Sequence, residues 1–332
     1  MKNKHRLLLS LALIASSGNI RSQESTSVFN FLNLPTSAHT TALGGKNISL
    51  IEDDISLAMQ NPSLLASVSD KTVGVGFMTY MQGTKAGNAA YCQTVGERGT
   101  WGVQTQFVGY GSIKETNDEG VVTGDMKPLD FCIAGQYSHM LSERIVGGVN
   151  AKFIYSHYGE FSSCALAVDL GFNYMLEEKS FSLSAVARNL GGQVKAFGDS
   201  HERLPFDMEI GFTKGLGHAP VCISLTMVDL TRWKDSDYYS PDGKVSGGRK
   251  FTNHFVIGVD IKPAPIVYVS GGFNFRRAYE MKAAGSSHAS GLSFGAGLDL
   301  KRMKVGVAYA KYHVSSPTFS VNLAYNFQKK ID

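Results

Sequence analysis

Residues 164–176 read CALAVDLGFNYML, and their side chains alternate in character from one residue to the next. Leu166, Val168 and Leu170 fall on one face, whereas Asp169 falls on the other among small and amide side chains. A period of two is that of a β-strand with one apolar face. A tilted strand crosses a bilayer with about 9–11 residues, and this segment reaches that length. The stretch therefore predicts a strand long enough to span a membrane.

The same alternation recurs along most of the chain, for example in Phe206–Thr213, Leu292–Leu300 and Thr318–Phe327. About fourteen strand-length segments lie between Thr72 and Phe327. Tight turns connect every second pair, at Glu97–Gly99, Ser142–Glu143, Glu177–Lys179, Gly215–Ala219, Pro263–Pro265 and Arg302–Met303. The long connections all have the other parity and are Gly111–Pro128, Gly191–Arg203, Thr231–Lys250 and Ala278–Ser290.

This arrangement places short turns at one end of an up-and-down sheet and long loops at the other. Together with an even strand number, it is typical of bacterial outer-membrane barrels. A soluble sandwich also alternates, but its strands are shorter, usually five or six residues. The sequence therefore predicts an all-β fold, a 14-stranded antiparallel transmembrane barrel in the outer membrane.

Charged residues recur within the predicted strands on the polar face, which we expect to line the lumen. A basic residue facing lipid at the midplane would cost roughly 2–4 kcal/mol, so the polar face must point inward. These lumen charges are Asp169, Arg188, Asp207, Glu209, Asp260, Arg276 and Asp299. Both signs are present, which indicates a charge-paired interior.

The start of the chain predicts an export signal at residues 1–22. Basic residues precede the short apolar stretch Leu7–Ala15, and small residues follow it. The formal net charge of +4 arises from the basic residues of this signal, so the rest of the chain is close to neutral. A near-neutral chain without a basic stripe disfavours nucleic acid as a partner. The barrel is predicted at residues 71–328, followed by a short tail at 329–332.

Residues 23–70 do not alternate and predict a periplasmic segment or a hatch that inserts into the barrel. Asp53 and Asp54 are placed to cap one short helix. Asn61 and Pro62 are placed to begin another, with Asn as the cap and Pro at the first helical position. The apolar residues of this segment favour insertion into the lumen over a solvated tail.

The four cysteines, Cys92, Cys132, Cys164 and Cys222, show no paired spacing and predict unpaired thiols. Strand parity places Cys132 and Cys222 inward and Cys164 outward. No HExxH motif or Cys/His cluster indicates a metal site. The scattered histidines do not indicate the gathered groups of a Ser–His–acid triad. We therefore expect neither an enzyme nor a bound cofactor or metal.

Residues 31–66 read FLNLPTSAHTTALGGKNISLIEDDISLAMQNPSLLA, and this stretch resembles the start of the FadL-like barrels of the type IX secretion system of Bacteroidetes. GTWGVQTQFVGYGSIKET (99–116), ARNLGGQVKAF (187–197), LPFDMEIGFTKGL (204–216) and VGVAYAKYHV (305–314) resemble its PorQ family specifically. The likeness covers nearly the whole chain after the signal.

This resemblance implies fourteen strands, an N-terminal hatch and no catalytic role. It also implies membership of a complex that attaches secreted cargo, with a PorU-like sortase, a PorV-like shuttle barrel and a PorZ-like surface protein that this chain would anchor. The long loop Thr231–Lys250 is then the candidate contact surface, through Trp233, Tyr238 and Tyr239. The alternative is that these aromatic side chains fold onto the barrel rim.

Two other functions stay open at this point. The first is transport of hydrophobic small molecules, as in FadL itself, which the inward charges disfavour. The second is a PorV-like cargo shuttle, which shares the N-terminal pattern.

Overall fold

The computed structural model describes residues 27–80, 83–116, 121–238, 244–285, 289–312 and 316–328. The predicted signal, the predicted tail and Tyr239 lie outside these ranges. Within them, no helix combines the length and apolarity needed to cross a membrane.

Sixteen strands form in the described ranges. They are β1 (Thr72–Thr79), β2 (Lys85–Val95), β3 (Gly99–Gly109), β4 (Ile113–Thr116), β5 (Val122–Met126), β6 (Leu129–Ser142), β7 (Ile145–Tyr158), β8 (Phe161–Leu176), β9 (Phe181–Lys195), β10 (Asp207–Gly215), β11 (Val221–Met227), β12 (Phe255–Ala264), β13 (Val267–Asn274), β14 (Leu292–Asp299), β15 (Met303–Ala310) and β16 (Thr318–Asn326).

The helical elements are short. The α-helices are α1 (Ala38–Ala42), α2 (Gly247–Asn253) and α3 (Phe275–Ala283). Five single 3₁₀ turns span Asn30–Asn33, Ile55–Met59, Pro62–Ser67, Glu177–Lys179 and Asp235–Asp237.

Fourteen of the strands close into one antiparallel barrel, and β4 and β5 form a separate two-stranded sheet. The barrel closes between its first and last strands, where Thr72 of β1 lies opposite Asn326 of β16 and Met78 lies opposite Ser320. Closure leaves no strand edge unpaired, which is the condition for a sheet in lipid. The predicted 14-stranded antiparallel barrel is confirmed.

The wall presents an apolar outer face and a polar inner face. In β16, Phe319, Val321 and Leu323 are exposed on the outside, whereas Ser320 and Asn322 are buried inside. The outward residues of β8 and β10 are likewise large and apolar. An exposed apolar band of this kind is unstable in water and stable against lipid, so the barrel is of the membrane type.

The two ends of the barrel differ, as the sequence predicts. The six tight turns predicted from the sequence lie at one end, here called the short-turn end. The long connections lie at the other, here called the long-loop end, together with the short connections between β1 and β2 and between β7 and β8. The long connections are more structured than predicted. One contains the β4–β5 hairpin, and two others contain α2 and α3.

The four cysteines are free, as predicted. Cys132 is buried on the inner face, and Cys222 shares the inward parity of Ser224 in β11. Cys164 is half-buried and shares the outward parity of Leu166.

Two of the predicted lumen charges lie elsewhere. Arg276 lies in α3 at the long-loop end, because β13 ends at Asn274, whose side chain caps the helix by accepting a hydrogen bond from the Arg277 backbone. Asp299 has inward parity, but it is the last residue of β14 at the short-turn end, and its side chain is 45% exposed. Parity assigns a face, but it does not tell how deep along the barrel a residue lies.

Candidate functional site in the barrel lumen

Residues 27–70 run through the inside of the barrel, and their two ends lie at different mouths. The Val28 amide donates to the Arg203 carbonyl (3.1 Å) in the connection between β9 and β10 at the long-loop end. At the other extreme, the Asp70 carboxylate accepts from the Thr94 amide near the short-turn end of β2. The segment therefore begins at the long-loop mouth and ends at the short-turn mouth. Sequence gives no signal for the direction in which an inserted segment threads.

The first part of this lumenal segment (residues 27–70) fills the long-loop half of the barrel with apolar side chains. Phe29, Phe31, Leu32 and Leu34 are buried in one cluster with inward-facing wall residues. The wall side of this cluster comprises Met78, Ala86, Val108, Cys132, Ala134, Ile154, Ala165, Ala167 and Leu204. The chain thus occupies its own apolar chamber, and the hydrophobic contact holds the segment in place.

Glycines in the wall make room for the segment. A Cβ at Gly148 would lie 2.3 Å from the Pro62 carbonyl carbon, and one at Gly171 would lie 2.2 Å from Asn61 Oδ1. A Cβ at Gly272 would lie 2.2 Å from the Gly44 nitrogen. These inward glycines are the positions at which the wall and the segment backbone approach most closely.

Backbone capping shapes the segment as the sequence predicts, although the short helices are 3₁₀ turns. The Asp54 carboxylate accepts from the Ser56 amide, and Asn61 Oδ1 accepts from the Ser63 amide (3.0 Å), with Pro62 following as the first residue of its turn. Asp53 has a different role, because its carboxylate accepts from the amide and hydroxyl of Ser69. It ties the end of the segment to the start of the barrel.

The first buried charge cluster joins the segment to β9 and β10. Glu209 accepts from Lys46 Nζ (2.7 Å) and Arg188 Nη1 (3.2 Å). Arg188 Nη2 also donates to the Leu32 carbonyl (3.0 Å). Asp207 is buried beside this cluster on the same face of β10. Two cations beside one carboxylate offset the desolvation free energy of burying it. Removing one of these partners would therefore destabilise the fold.

The second buried charge cluster centres on His39 of α1. Its Nδ1 lies 2.8 Å from Glu52 Oε2, and its Nε2 lies 2.7 Å from Asp260 Oδ1. Lys304 Nζ lies 2.6 Å from the other oxygen of Glu52. The His39 ring stacks on Tyr268 with centroids 4.0 Å apart.

His39 lies in the lumen but outside the membrane-spanning strands. Burial alone would lower the pKa of His39, but the carboxylates of Glu52 and Asp260 on its two ring nitrogens raise it to about 9. Burial would raise the pKa of Glu52, yet the cations of His39 and Lys304 hold it far below its usual range. The segment is therefore held to β12 and β15 as charged partners at neutral pH.

A third pair lies within the wall, between β7 and β8. Lys152 Nζ lies 2.6 Å from Asp169 Oδ2, and both side chains are fully buried. Asn150 of the same face donates to the Ala58 carbonyl (3.1 Å), which connects this pair to the segment. The interior is thus charge-paired. Sequence reasoning identified most of the acids but missed His39, Lys46, Glu52, Lys152 and Lys304, although the inward parity of Lys152 and Lys304 was a usable signal.

One serine of β14 lies in a sequence pattern that serine hydrolases also use. Gly291–Gly295 reads GLSFG, which has the letters of a serine-hydrolase nucleophile motif. Ser293, however, lies within β14 rather than on a strand-to-helix turn, and it is fully buried. Its hydroxyl accepts from the Gly44 amide (2.9 Å) and donates to the Ala42 carbonyl (2.8 Å). It holds the lumenal segment and has no nucleophile geometry.

At the long-loop end, the predicted contact residues fold largely onto the rim. Tyr238 is only 6% exposed, and its hydroxyl lies between the Arg232 carbonyl (2.8 Å) and His254 Nε2 (3.0 Å). The Trp233 ring packs against the His254 ring at a tilt, with centroids 4.1 Å apart, but it stays 46% exposed. Tyr238 thus packs onto the rim, which is the alternative that the sequence left open, and its contact with a partner stays a prediction.

Arg276 anchors the same rim. Its guanidinium donates to Asp229 Oδ2 (2.6 Å), to Glu280 and to the Asp237 carbonyl. Burial would raise the pKa of Asp229, but Arg276 and Arg232 lower it. The rim is therefore a fixed structure held by ion pairs, and it presents Trp233 outward.

At the short-turn end, a cavity of about 340 Å³ opens between the lumenal segment and the wall. Its inner side is formed by residues 49–51, and its outer side is formed by the ends of β8–β12 and their turns. Within the described residues, no group of three or more His, Cys, Asp or Glu is placed to hold a metal ion.

Comparisons of this chain with known proteins identify its fold. No protein-family model and no curated protein significantly match the sequence. Among solved structures, the Pseudomonas putida toluene transporter TodX matches with a TM-score of 0.56 and 10% identity over 93% of this chain and 99% of that chain. The CymD monoaromatic hydrocarbon channel matches with a TM-score of 0.54 and 12% identity over 90% and 99% of the two chains.

A Pseudomonas aeruginosa FadL homologue matches with a TM-score of 0.51 and 11% identity, over 88% of this chain and 98% of that chain. At such identities the likeness establishes the fold alone. The chain therefore has the FadL-like barrel fold that the resemblance implies.

Proposed function

We propose that this protein is a non-catalytic outer-membrane barrel that anchors a partner at the cell surface. In this proposal it belongs to the attachment complex of a type IX secretion system, where it holds a PorZ-like surface protein beside PorU-like and PorV-like components. The sequence resemblance to the PorQ family supports this assignment.

The observation that carries the proposal is the occupied lumen. The lumenal segment contacts strands around the whole barrel, from β1 to β3, from β6 to β8 and from β13 to β16. Buried ion pairs join it to β10, β12 and β15, and Arg188 of β9 donates a hydrogen bond to its Leu32 carbonyl. Opening a path would require breaking such pairs, which is costly inside a protein. A barrel closed in this way is suited to holding partners at its ends.

The long-loop end offers surface for such a partner. Trp233 is exposed on the rim, and Phe251 of α2, in the same connection between β11 and β12, is also exposed. The β4–β5 hairpin also presents Ile113 and Val122 to solvent. Exposed aromatic and aliphatic side chains of this kind are typical anchors of protein interfaces.

Transport of hydrophobic small molecules is the second candidate, and the fold favours it. TodX and CymD are described as a toluene transporter and a monoaromatic hydrocarbon channel, so the comparisons support this function more directly than the anchoring role. The apolar chamber around Phe29 and Phe31 is the part of the lumen that suits such cargo. Transport would require the lumenal segment to move out of this apolar chamber.

A pull-down tests the first candidate against the second. The tagged protein is solubilised from its native membrane in mild detergent, and co-purifying chains are identified. Anchoring predicts a surface protein in stoichiometric amount, which is lost when residues 231–246 are replaced by a short Gly-Ser linker. Replacing the β4–β5 hairpin provides the control on a second loop, and Trp233→Ala with Phe251→Ala provides a milder variant that leaves the rim ion pairs intact.

Heat-modified gel mobility confirms that each variant still forms a barrel. If the surface protein co-purifies undiminished from the linker variant and the double variant, the loop assignment is wrong. If no protein partner co-purifies and labelled toluene uptake depends on the barrel, the anchoring function is wrong and transport replaces it.

A further inference from the structure

The cavity at the short-turn end has the properties of a preformed binding site. Its volume of about 340 Å³ lies within the range of small-molecule pockets, which is about 300–1,000 Å³. Its walls are fixed by backbone hydrogen bonds of the turns, including Gly215 N to Ser180 O (2.8 Å) and Lys262 N to Pro220 O (2.8 Å). Its floor is fixed by the contact between the hydroxyls of Ser49 and Thr213 (2.8 Å).

The lining is mainly apolar, with polar groups at few places. Leu50 and Ile51 of the lumenal segment face Met175, Phe181, Leu216 and Val221 of the wall and turns. Such a lining takes up an aliphatic chain, because burial of apolar surface is favourable by about 25 cal/mol per Å².

The opening carries one acid and one base. Glu177 lies on the β8–β9 turn, Lys262 lies at the end of β12, and both side chains are exposed. Neither forms an ion pair with any residue in the described ranges. Lys262 and Cys222 of the neighbouring strand β11 both line the cavity. The short turns of such barrels lie on the periplasmic side.

We propose that this cavity binds a zwitterionic single-chain lipid, with its acyl chain between Leu50 and Leu216, its phosphate on Lys262 and its ammonium on Glu177. Lysophosphatidylethanolamine has this chemistry. The site is independent of the anchoring function, since it lies at the opposite end of the barrel from the partner-facing loops. It would give the protein a second binding activity, directed at a single-chain lipid.

Cys222 provides the readout because it lines the cavity. The barrel with Cys92, Cys132 and Cys164 replaced by Ser is reconstituted in phosphatidylcholine nanodiscs, and the rate of maleimide labelling of Cys222 is measured. The proposal predicts that 1-myristoyl-lysophosphatidylethanolamine slows labelling in a saturable way. Lys262→Gln and Glu177→Gln should each weaken the apparent affinity about two- to fivefold, the size expected of exposed charge pairs.

Ala219→Trp, which fills the cavity, should abolish the saturable protection. His218→Trp is the matched control on the same turn, since His218 does not line the cavity, and it should bind as the parent does. Decanoate and decylamine separate the headgroup contributions, and each should bind more weakly than the zwitterion.

Equal protection in the Ala219→Trp variant would show unspecific partition into the nanodisc and overturn the proposal. Equal affinity for decanoate, decylamine and the zwitterion would overturn the headgroup assignment. Where the triple Ser background fails to give a heat-modifiable barrel, native mass spectrometry of the unmodified protein measures the same lipid binding. These lipid-binding results do not depend on the anchoring function. If no surface partner co-purified in the pull-down, the same lipid binding would still be expected.

Discussion

The barrel wall and the lumenal segment obtain their structures in different ways. The orientation of each wall strand is determined by its own sequence, because the alternation of apolar and polar side chains decides which face contacts lipid. On β16, for example, Phe319 faces outward and Ser320 faces inward. The lumenal segment has no periodicity, and its structure depends on contacts with distant strands, such as His39 with Asp260. A wall strand can therefore be predicted from a few residues, whereas the segment depends on the finished barrel.

The largest effect is expected at the ion pair that is buried within the wall, between β7 and β8. Lys152→Met keeps most of the side-chain volume but leaves Asp169 buried without its cation, which should cost about 3–5 kcal/mol of unfolding free energy. Urea unfolding in lipid vesicles measures it. The double variant Lys152→Met with Asp169→Leu should recover most of the loss. Lys85→Met, at an exposed lysine of β2, serves as the control. A loss no larger than that of the control would show that the pair is not buried.

The next effect concerns the outer face of the wall alone. Leu170→Arg places a charge on the lipid face in the middle of β8 and should cost about 2–4 kcal/mol. Val95→Arg, at the short-turn end of β2, should cost only about 0–1 kcal/mol, because the charge reaches the interface. Equal costs at both positions would contradict the depth that the strand register assigns to them. Urea midpoints in vesicles of one lipid compare the two.

A smaller effect on stability is expected when alanine replaces one of two adjacent glycines of β13, because one glycine faces the lumenal segment and the other faces outward. Gly272→Ala would bring a Cβ within 2.2 Å of the Gly44 nitrogen, so the segment must shift, at a cost of about 1–3 kcal/mol. At the outward Gly271, the nearest contact of a new Cβ is 3.8 Å away, and Gly271→Ala should be close to neutral. Protease sensitivity of residues 27–70 measures the displacement. Identical digestion of both variants would show that the segment does not pack against β13.

The smallest effect in the usual pH range concerns His39. Its folded pKa of about 9 lies above the ordinary 6.5, so its contribution is fully present below about pH 6.5 and is lost as the pH rises through about 9. Heat-modification temperatures should therefore fall between pH 8 and pH 10. In His39→Gln this fall should be smaller. An unchanged pH profile in that variant would exclude His39 as the titrating group.

Much of the wall could be predicted from sequence, because its strands and turns are determined by residues that are neighbours in the chain. The Cys164–Leu176 alternation, the tight turns and the even strand number depend on neighbouring residues, so they are visible in sequence. The capping roles of Asp54 and Asn61 are visible for the same reason. Arg276 was misplaced because the end of β13 is decided by the Asn274 cap rather than by alternation.

The rest of the site depends on contacts between residues far apart in sequence. The sequence around His39 does not predict that its partner is Asp260, which lies 221 positions away. The burial of Tyr238 depends likewise on His254, at the end of the same connection, and on Arg276, which belongs to another connection. The direction of the segment is set by the Ser27–Arg203 bridge at the long-loop mouth, which also joins remote positions. These features required the three-dimensional arrangement.

Single-channel recording in planar lipid bilayers tests the closed lumen most directly. The intact protein is compared with a chain that lacks residues 27–52 but keeps its first 26 residues and its whole barrel. The account predicts that the intact protein shows no steady ion conductance, whereas the shortened chain conducts continuously through the vacated lumen. Equal steady conductance from both proteins would contradict a barrel closed by its own N-terminal segment.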